Sequence, residues 1–191
     1  MKSKRYKIIL GSASPRRHQF FKEMGLDFEV RLQEVEEIYP YDLKGVEITD
    51  FLAQLKAGAY QNLAENELVI TSDTIVWHEN KALGKPKNEL DAKAMLASMS
   101  EKTHEVITSV CFKTNQFCNV INETTLVTFK KLTSEMIDFY VEKFKPLDKA
   151  GAYGIQEWIG LVGVEKIEGS YSNVVGLPTS QVYAFLRQLE G

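Results

Sequence analysis

The sequence is poor in the residues that build metal and disulfide scaffolds. It contains three histidines and two cysteines in 191 residues. The histidines lack the spacing of a zinc site, so zinc is not expected. Cys111 and Cys118 flank a predicted hairpin turn, which would set their sulfur atoms diagonally rather than opposite each other. We therefore expect two free, buried thiols in a reducing compartment rather than a disulfide.

Long apolar runs and a large charge excess are also missing. No stretch approaches the roughly 20 apolar residues of a membrane-spanning helix, and the apolar run after residues 1–5 is too short for a signal peptide. A formal net charge of −3 leaves no general basic coat for nucleic acid. We therefore expect a soluble, cytoplasmic protein without nucleic-acid or membrane partners. The length suits a single domain over 1–191 or two tightly joined lobes.

The familiar phosphate-binding and hydrolase motifs are absent as well. The chain has no G-x-x-x-x-G-K-[ST] loop and no dinucleotide-binding fingerprint. It also lacks the G-x-S-x-G elbow of the α/β-hydrolases. Any catalytic site must therefore be argued from other residues.

The most informative stretch that is present comprises residues 11–17, with the sequence GSASPRR. It follows the apolar run 8–10 and precedes helically spaced apolar residues, so we expect a strand-to-helix turn. Ser14 is a good N-cap, and Pro15 fits the first helical position. The positive end of the helix and two arginines would together hold an anion, most plausibly a phosphate. A capped helix with two solvated arginines is the alternative.

Strands and helices alternate in the first half of the chain. Apolar spacing predicts one helix that Thr49 caps and another over 89–99 that buries Leu90. Further patterns predict a long hairpin formed by 103–114 and 117–130. They also predict a strand over 161–167 and a loop over 169–176. Together these elements predict an α/β fold in which helices flank a mixed sheet.

Asp73 interrupts the apolar β pattern of residues 68–77. A carboxylate among apolar strand residues costs free energy unless it is paired, bound to a metal or facing a cleft. We expect a strand break there, with Asp73 as a metal ligand or general base, or else as a satisfied turn residue. Glu37 lies in an acidic stretch that is ordinarily just solvated. Lys85 sits in a rigid short loop that suits a fixed phosphate contact.

These residue types suit the attack of water on a phosphoanhydride. Cations would neutralise a pyrophosphate leaving group, carboxylates would hold a divalent metal, and a base would orient the water. The residues alone indicate a phosphoanhydride or phosphoester hydrolase and do not choose between the two.

Four blocks of the sequence, in order, resemble the Maf family. The blocks are 10–17, then 72–76 with 83–86, then 103–108, and finally 150–156 with 168–178. They cover nearly the whole chain. The resemblance implies a nucleotide pyrophosphatase that converts a nucleoside triphosphate to the monophosphate and pyrophosphate.

The resemblance also implies a fold, a cofactor and an assembly. The fold would be like that of inosine triphosphate pyrophosphatases and Ham1 proteins, with a long twisted mixed sheet and two lobes with a cleft. The cofactor would be a divalent cation, Mg²⁺ or Mn²⁺. Members of the family are often homodimers, so a homodimer is expected.

Individual residues gain roles from the resemblance. Asp73 matches the proton acceptor of the family, and Glu37 matches an acidic residue implicated in metal binding or catalysis. Both are therefore expected at the metal. Lys56 and Lys85 match phosphate-contacting lysines, and Lys85 is counted with the catalytic residues. The expected substrate-binding residues are Ser12, Ser14, Arg16, Arg17, Lys56, Thr74 and Gln156.

Three of these positions indicate a subfamily. Arg16, Thr74 and Gln156 resemble the branch that acts on dTTP and UTP, and an amide suits the edge of a pyrimidine because it both donates and accepts. Gly11 stands where alanine is usual and should loosen the turn slightly, while Glu157 stands where glycine is common and could alter base preference. A nucleotide-binding regulator of cell division and a 7-methyl-GTP pyrophosphatase stay open as alternatives.

Overall fold

The computed structural model describes residues 6–189. The signal-peptide argument falls in part on residues 1–5, which lie outside the described residues. Within residues 6–189, none of the helices has the length and apolar character needed to span a membrane. The strands of this part of the chain are β1 Lys7–Leu10, β2 Phe28–Val30, β3 Glu67–His78, β4 Lys81–Leu83, β5 Thr103–Lys113, β6 Cys118–Phe129 and β7 Val164–Glu168.

The helices range in length from 5 to 13 residues. They are α1 Pro15–Glu23, α2 Val46–Gly58, α3 Glu89–Met99, α4 Ser134–Phe144, α5 Trp158–Gly163, α6 Tyr171–Val175 and α7 Thr179–Leu189, with a short 3₁₀ turn at Ala150–Ala152. The segment 31–45, which carries Glu37, has no regular secondary structure.

The strands form a mixed sheet in the order β2-β1-β3-β5-β6-β7, and β4 pairs with β3. Strand β1 runs parallel to both β2 and β3. Strands β4 and β7 run antiparallel to β3 and β6. The hairpin between β5 and β6 closes where the Thr114 N–H donates to the Phe117 carbonyl at 2.9 Å. The predicted mixed sheet flanked by helices is therefore confirmed.

The chain divides into two compact units, with three boundaries inside β3, β5 and β6 and a fourth directly after α6. Unit 1 contains the described residues up to Asp73, then Thr108–Glu123, and the described residues from Gly176 onward. Its core is formed by apolar side chains of β1, α1, β3, β5 and α7, among them Ile8, Leu10, Phe21, Leu68, Phe112 and Val182. The predictions of a single domain over 1–191 and of a cleft between lobes stay predictions.

Unit 2 contains Thr74–Ile107 and Thr124–Val175. Its core is formed by apolar side chains of α3, β6, α4 and α5, among them Leu96, Met99, Phe129, Tyr140 and Ile159. Each unit therefore buries a hydrophobic core of its own, which contributes most of its stability.

The predicted strand break at Asp73 is wrong. Strand β3 continues without interruption from Glu67 to His78, although Thr71, Ser72 and Asp73 are all buried. The physical reason is that the Asp73 carboxylate is paired with the ammonium group of Lys56. A paired carboxylate can lie on a buried strand without disturbing the backbone ladder.

Two helices differ in detail from the sequence prediction. Helix α2 has Gly45 as its N-cap, so Thr49 lies inside the helix and its hydroxyl donates to the Val46 carbonyl at 3.0 Å. Helix α3 has the predicted bounds, but Leu90 is 78% exposed. The side chains it buries are those of Ala92, Leu96 and Met99. The predicted helix is therefore confirmed, but the prediction of which face of it is buried is wrong.

The C-terminal part of unit 2 contains more helix than expected. Residues predicted as one strand, 161–167, divide between α5 and β7, and the predicted loop 169–176 contains α6. Helix α6 is only five residues long, and its first turn is held by Ser170, whose Oγ accepts from the Asn173 N–H at 3.3 Å. Such short helices depend on local capping and carry little periodic signal.

The two cysteines are free thiols, as expected, with Cys111 buried and Cys118 exposed. Their Sγ atoms lie 3.2 Å apart across the β5–β6 hairpin, which is close for a diagonal pair. The expectation of two buried thiols is wrong for Cys118, because the tip of the hairpin leaves that position open to solvent.

Candidate functional site

The first turn of the chain opens at the carboxyl end of β1, where the Gly11 N–H donates to the Ile70 carbonyl of β3 at 2.9 Å. Ser14 is the N-cap of α1, with Pro15 in the first turn. The Ser14 Oγ accepts from the Arg17 N–H at 3.5 Å, and the Ser12 Oγ accepts from the Ser14 N–H at 3.2 Å. The predicted strand-to-helix turn is confirmed, and the hydroxyl groups of Ser12 and Ser14 stabilise it by accepting from its backbone N–H groups.

Arg17 connects this turn to two other parts of unit 1. Its Nε donates to the Gly176 carbonyl at 2.9 Å, and its Nη1 donates to the Ser72 carbonyl at 2.9 Å. The same Nη1 lies 3.4 Å from the Ser12 Oγ. The guanidinium therefore braces the turn against β3 with donors whose fork geometry a lysine could not reproduce.

Lys56 joins two carboxylates of unit 1. Its Nζ donates to Asp73 Oδ1 at 2.6 Å and lies 3.0 Å from Glu37 Oε2. The residue comes from the last turn of α2, while Asp73 lies in β3 and Glu37 in the irregular segment after β2. The side chain of Asp73 is 9% exposed and that of Glu37 is 51% exposed. Of the two ion pairs of Lys56, the one with Asp73 is therefore the more shielded from solvent.

The charged groups of the site act on one another. The pKa of Arg17 is lowered to about 10, mainly by burial and in part by the charge of Arg16, although the charges of Asp73 and Glu37 oppose this shift. Lys56 contacts both carboxylates, Arg17 interacts electrostatically with both, and the charge of Arg16 acts on Arg17. The excess of positive charge in a partly buried environment suits an anionic ligand.

The two carboxylates can hold a divalent cation only if a phosphate group and water supply the remaining oxygen ligands. Within residues 6–189, no group of three or more His, Cys, Asp or Glu side chains could hold a metal ion. Asp73 and Glu37 do share one cation, the ammonium of Lys56. Mg²⁺ is commonly held by one or two carboxylates together with substrate phosphates and water. The donor pair fits that pattern, with the remaining oxygens supplied by a phosphate and by water.

The other predicted residues belong to unit 2. Thr74 is half-buried and follows Asp73 directly in β3. Lys85 is exposed in the loop after β4, and Gln156 is exposed in the turn before α5. The predicted site residues therefore fall into two sets, with Ser12, Ser14, Arg16, Arg17, Glu37, Lys56 and Asp73 in unit 1 and Thr74, Lys85 and Gln156 in unit 2.

Within unit 2, Gly151 links the segments that carry these residues. Its N–H donates to the Gly84 carbonyl, beside Lys85, at 3.1 Å. Its φ of +66° is one that L side chains rarely adopt, and an added Cβ would lie 2.7 Å from Val76 Cγ2 of β3. The segment that ends at Gln156 is therefore anchored beside the loop of Lys85.

Sequence reasoning missed two residues that shape the first turn. His18 Nε2 donates to the Ser12 carbonyl at 2.5 Å, and its position four residues after Ser14 could have indicated that it lies on the capping face of α1. Tyr60 donates from Oη to the Arg31 carbonyl at 2.5 Å and lies against Gly11. No sequence signal links Tyr60 to this turn.

Comparison with known sequences gives one consistent result. The model of the Maf-like protein family matches residues 7–189. A protein of Flavobacterium johnsoniae named dTTP/UTP pyrophosphatase is 64% identical over 189 residues, which cover 98% of this chain and 97% of the relative. A protein of the same name from Bacteroides fragilis is 51% identical, covering 97% of each chain.

Two solved structures share the fold. The Ham1 protein of Staphylococcus aureus superposes with a TM-score of 0.55 at 16% identity, covering 96% of this chain and 99% of the other. A HAM1 protein from Coxiella burnetii has a TM-score of 0.50 at 14% identity, with the same coverage. The predicted Ham1-like fold is therefore confirmed. At such identities the likeness concerns the fold alone.

Proposed function

Since the chain belongs to the Maf-like protein family, we propose that it is a nucleoside triphosphate pyrophosphatase that hydrolyses dTTP and UTP to the monophosphate and pyrophosphate. Relatives that bear the name dTTP/UTP pyrophosphatase are 46% to 64% identical over most of the chain. The observation that carries the proposal is the pairing of the buried Asp73 with Lys56 and Glu37 beside the arginine-bearing turn.

Asp73 is the proton acceptor of the proposed reaction. Its Oδ1 accepts from Lys56, and we assign Oδ2 to the attacking water. Lys56 holds the carboxylate in place and provides positive charge for the phosphates. Arg17, fixed by its bonds to Ser72 and Gly176, presents a rigid cation near the turn. Preorganised charges of this kind stabilise a pyrophosphate leaving group better than mobile ones do.

The proposed cofactor is Mg²⁺ or Mn²⁺, held by Asp73 and Glu37 together with phosphate oxygens. When bound, such an ion supplies charge neutralisation for the phosphoanhydride and lowers the pKa of bound water. Lys85 is proposed as a further phosphate contact from unit 2. Glu37 is the more exposed of the two carboxylates. Its replacement by Gln removes one of the two proposed metal ligands, so the metal concentration needed for half-maximal activity should rise.

Base recognition is assigned to Gln156, Thr74 and Arg16. The exposed amide of Gln156 can donate to O4 and accept from N3–H of thymine or uracil. The anchored loop before it limits the positions that the amide can take. This assignment favours pyrimidine triphosphates over 7-methyl-GTP.

The deciding experiment is a substrate panel. Purified protein is incubated with Mg²⁺ or Mn²⁺ and dTTP, UTP, ATP or 7-methyl-GTP, and the released pyrophosphate is measured. We expect turnover of dTTP and UTP above the other two. A wild-type protein that turns over neither dTTP nor UTP would contradict the proposal. Faster turnover of 7-methyl-GTP than of dTTP and UTP would indicate a 7-methyl-GTP pyrophosphatase instead.

The base is tested with Asp73→Asn, which keeps the shape of the side chain. Since a positioned general base contributes on the order of 10²–10⁴ in rate, kcat should fall by at least about 100-fold while triphosphate binding largely persists. Asp27→Asn, at an exposed position of the same unit, is the matched control and should keep full activity. Full activity of the Asp73 variant would refute the assigned base.

A homodimer is proposed on the family resemblance alone, and action in the cytoplasm is proposed as well. The free thiols at Cys111 and Cys118 suit a reducing compartment. Light scattering of the purified protein at micromolar concentration measures the assembly, and a mass of one chain would contradict the dimer.

A further inference from the structure

Glu157 occupies the N-cap position of α5, yet its side chain does not cap the helix. An N-cap carboxylate ordinarily accepts from the backbone of its own first turn. Here the side chain is 21% exposed and its Oε1 lies 3.1 Å from Lys149 Nζ. The carboxylate therefore turns back toward the chain that precedes it.

Both oxygens of this carboxylate have a buried partner. Tyr140 of α4, which is fully buried, donates from its Oη to Glu157 Oε2. Lys149, which is 8% exposed, pairs with Oε1. Because both oxygens are engaged within unit 2, the carboxylate is not available as a direct contact for a nucleotide base. Any influence on the base must pass through the backbone.

The backbone that it contacts belongs to the segment 150–156. The Tyr140 Oη that donates to Glu157 also accepts from the Gly154 N–H at 3.0 Å. An added Cβ at Gly154 would lie 2.9 Å from Glu157 Cδ and 3.1 Å from Lys149 Cε. The charged pair thus packs directly on Gly154, and the two residues of the pair, Lys149 and Glu157, bracket the segment in sequence.

We propose that Glu157 is a positioning residue that, through Tyr140 and Lys149, fixes the segment 150–156 and so sets the position of Gln156. The inference rests on the proposed function, in which Gln156 reads the pyrimidine. It makes Glu157 a determinant of pyrimidine binding that acts without touching the base.

The first test measures the order of the segment without activity. Hydrogen–deuterium exchange of the peptide spanning 150–156 is compared for wild type, Glu157→Ala and Tyr140→Phe. Loss of a hydrogen bond to a charged group should accelerate exchange there about tenfold. Glu157→Gln, which can still accept from Tyr140, should exchange at an intermediate rate. Glu165→Ala, at an exposed position of the same unit, is the control and should match wild type.

The second test separates base reading from phosphate binding. Glu157→Ala should raise KM for dTTP and UTP about tenfold, with kcat within about threefold. Inorganic triphosphate has no base, so its inhibition constant should not change. Glu157→Gln should recover part of the loss in KM.

Unchanged exchange in Glu157→Ala and Tyr140→Phe would overturn the positioning role. So would an inhibition constant for triphosphate that rises in parallel with KM, because this would show a general loss of structure. A wild-type enzyme inactive on both pyrimidine triphosphates would instead contradict the proposed function, and the exchange experiment would still decide whether Glu157 orders the segment.

Discussion

Gly11 is the position where the structure makes the sharpest quantitative prediction. A Cβ added there would lie 2.6 Å from Tyr60 Oη and 2.9 Å from Thr71 Cγ2. Tyr60 is 4% exposed, and its Oη donates to the Arg31 carbonyl, so the ring cannot swing away without losing that bond. The residue expected to loosen the turn is thus the one that lets Tyr60 pack against it.

The cost of Gly11→Ala follows from two opposing effects. Overpacking a filled site costs about 1–3 kcal/mol, while the smaller conformational entropy of the unfolded chain returns about 0.4–1 kcal/mol. We therefore expect a net loss of about 1–2 kcal/mol in the free energy of unfolding. Tyr60→Phe alone removes the bond to Arg31 and should cost about 1 kcal/mol.

The double variant is the decisive one. With Oη absent, the shortest contact of the new methyl group is gone, and those with Thr71 Cγ2 at 2.9 Å and with the ring Cζ at 3.1 Å remain. Gly11→Ala should therefore cost about 1 kcal/mol less in the Tyr60→Phe background than in wild type. Urea unfolding followed by circular dichroism measures all four proteins. Gly58→Ala is the matched control, because a Cβ there meets nothing within 4 Å, and it should not destabilise. Strict additivity of the two changes would refute the reasoning.

Two further predictions concern pH and the arginines. Burial lowers the pKa of His104 from 6.5 to about 3, so between these values the unfolded chain binds a proton that the folded protein does not. Stability should therefore fall as the pH drops from about 6.5 toward 3, by up to about 1.4 kcal/mol per pH unit from this group. His104→Phe should flatten that slope in urea titrations, and an unchanged slope would contradict the assignment. Arg17→Lys should weaken all nucleoside triphosphates alike and lower the melting temperature, whereas Arg16→Ala should change the preference among them. Equal losses for every nucleotide in the Arg16 variant would return both arginines to a common role in phosphate binding.

The first turn could be predicted from the sequence because its determinants are local. The cap at Ser14, Pro15 at the start of the helix and the apolar run before them lie within a few residues of one another. Local signals of this kind are sufficient to place a helix boundary. The resemblance to the Maf family then supplied roles for residues that no local pattern could connect.

The partners of these residues could not be predicted, because they depend on tertiary contacts. The sequence predicted a phosphate contact for Arg17, and nothing in it indicated the bonds to the Gly176 and Ser72 carbonyls, which join segments more than 50 residues away. Glu157 looked like a neighbour of the base pocket, and the structure engages both of its oxygens elsewhere. Neither result follows from residue type or spacing.

Lys56 explains why the strand prediction failed at the residue that matters most for function. An unpaired carboxylate in the middle of β3 would cost several kcal/mol, which is why a break was expected at Asp73. The ammonium of Lys56 removes that cost and lets β3 continue. The same pair holds the carboxylate in one place beside the arginine-bearing turn, as a proton acceptor requires. Stability of the strand and readiness of the proposed base therefore depend on one contact, and a change at Lys56 acts on both.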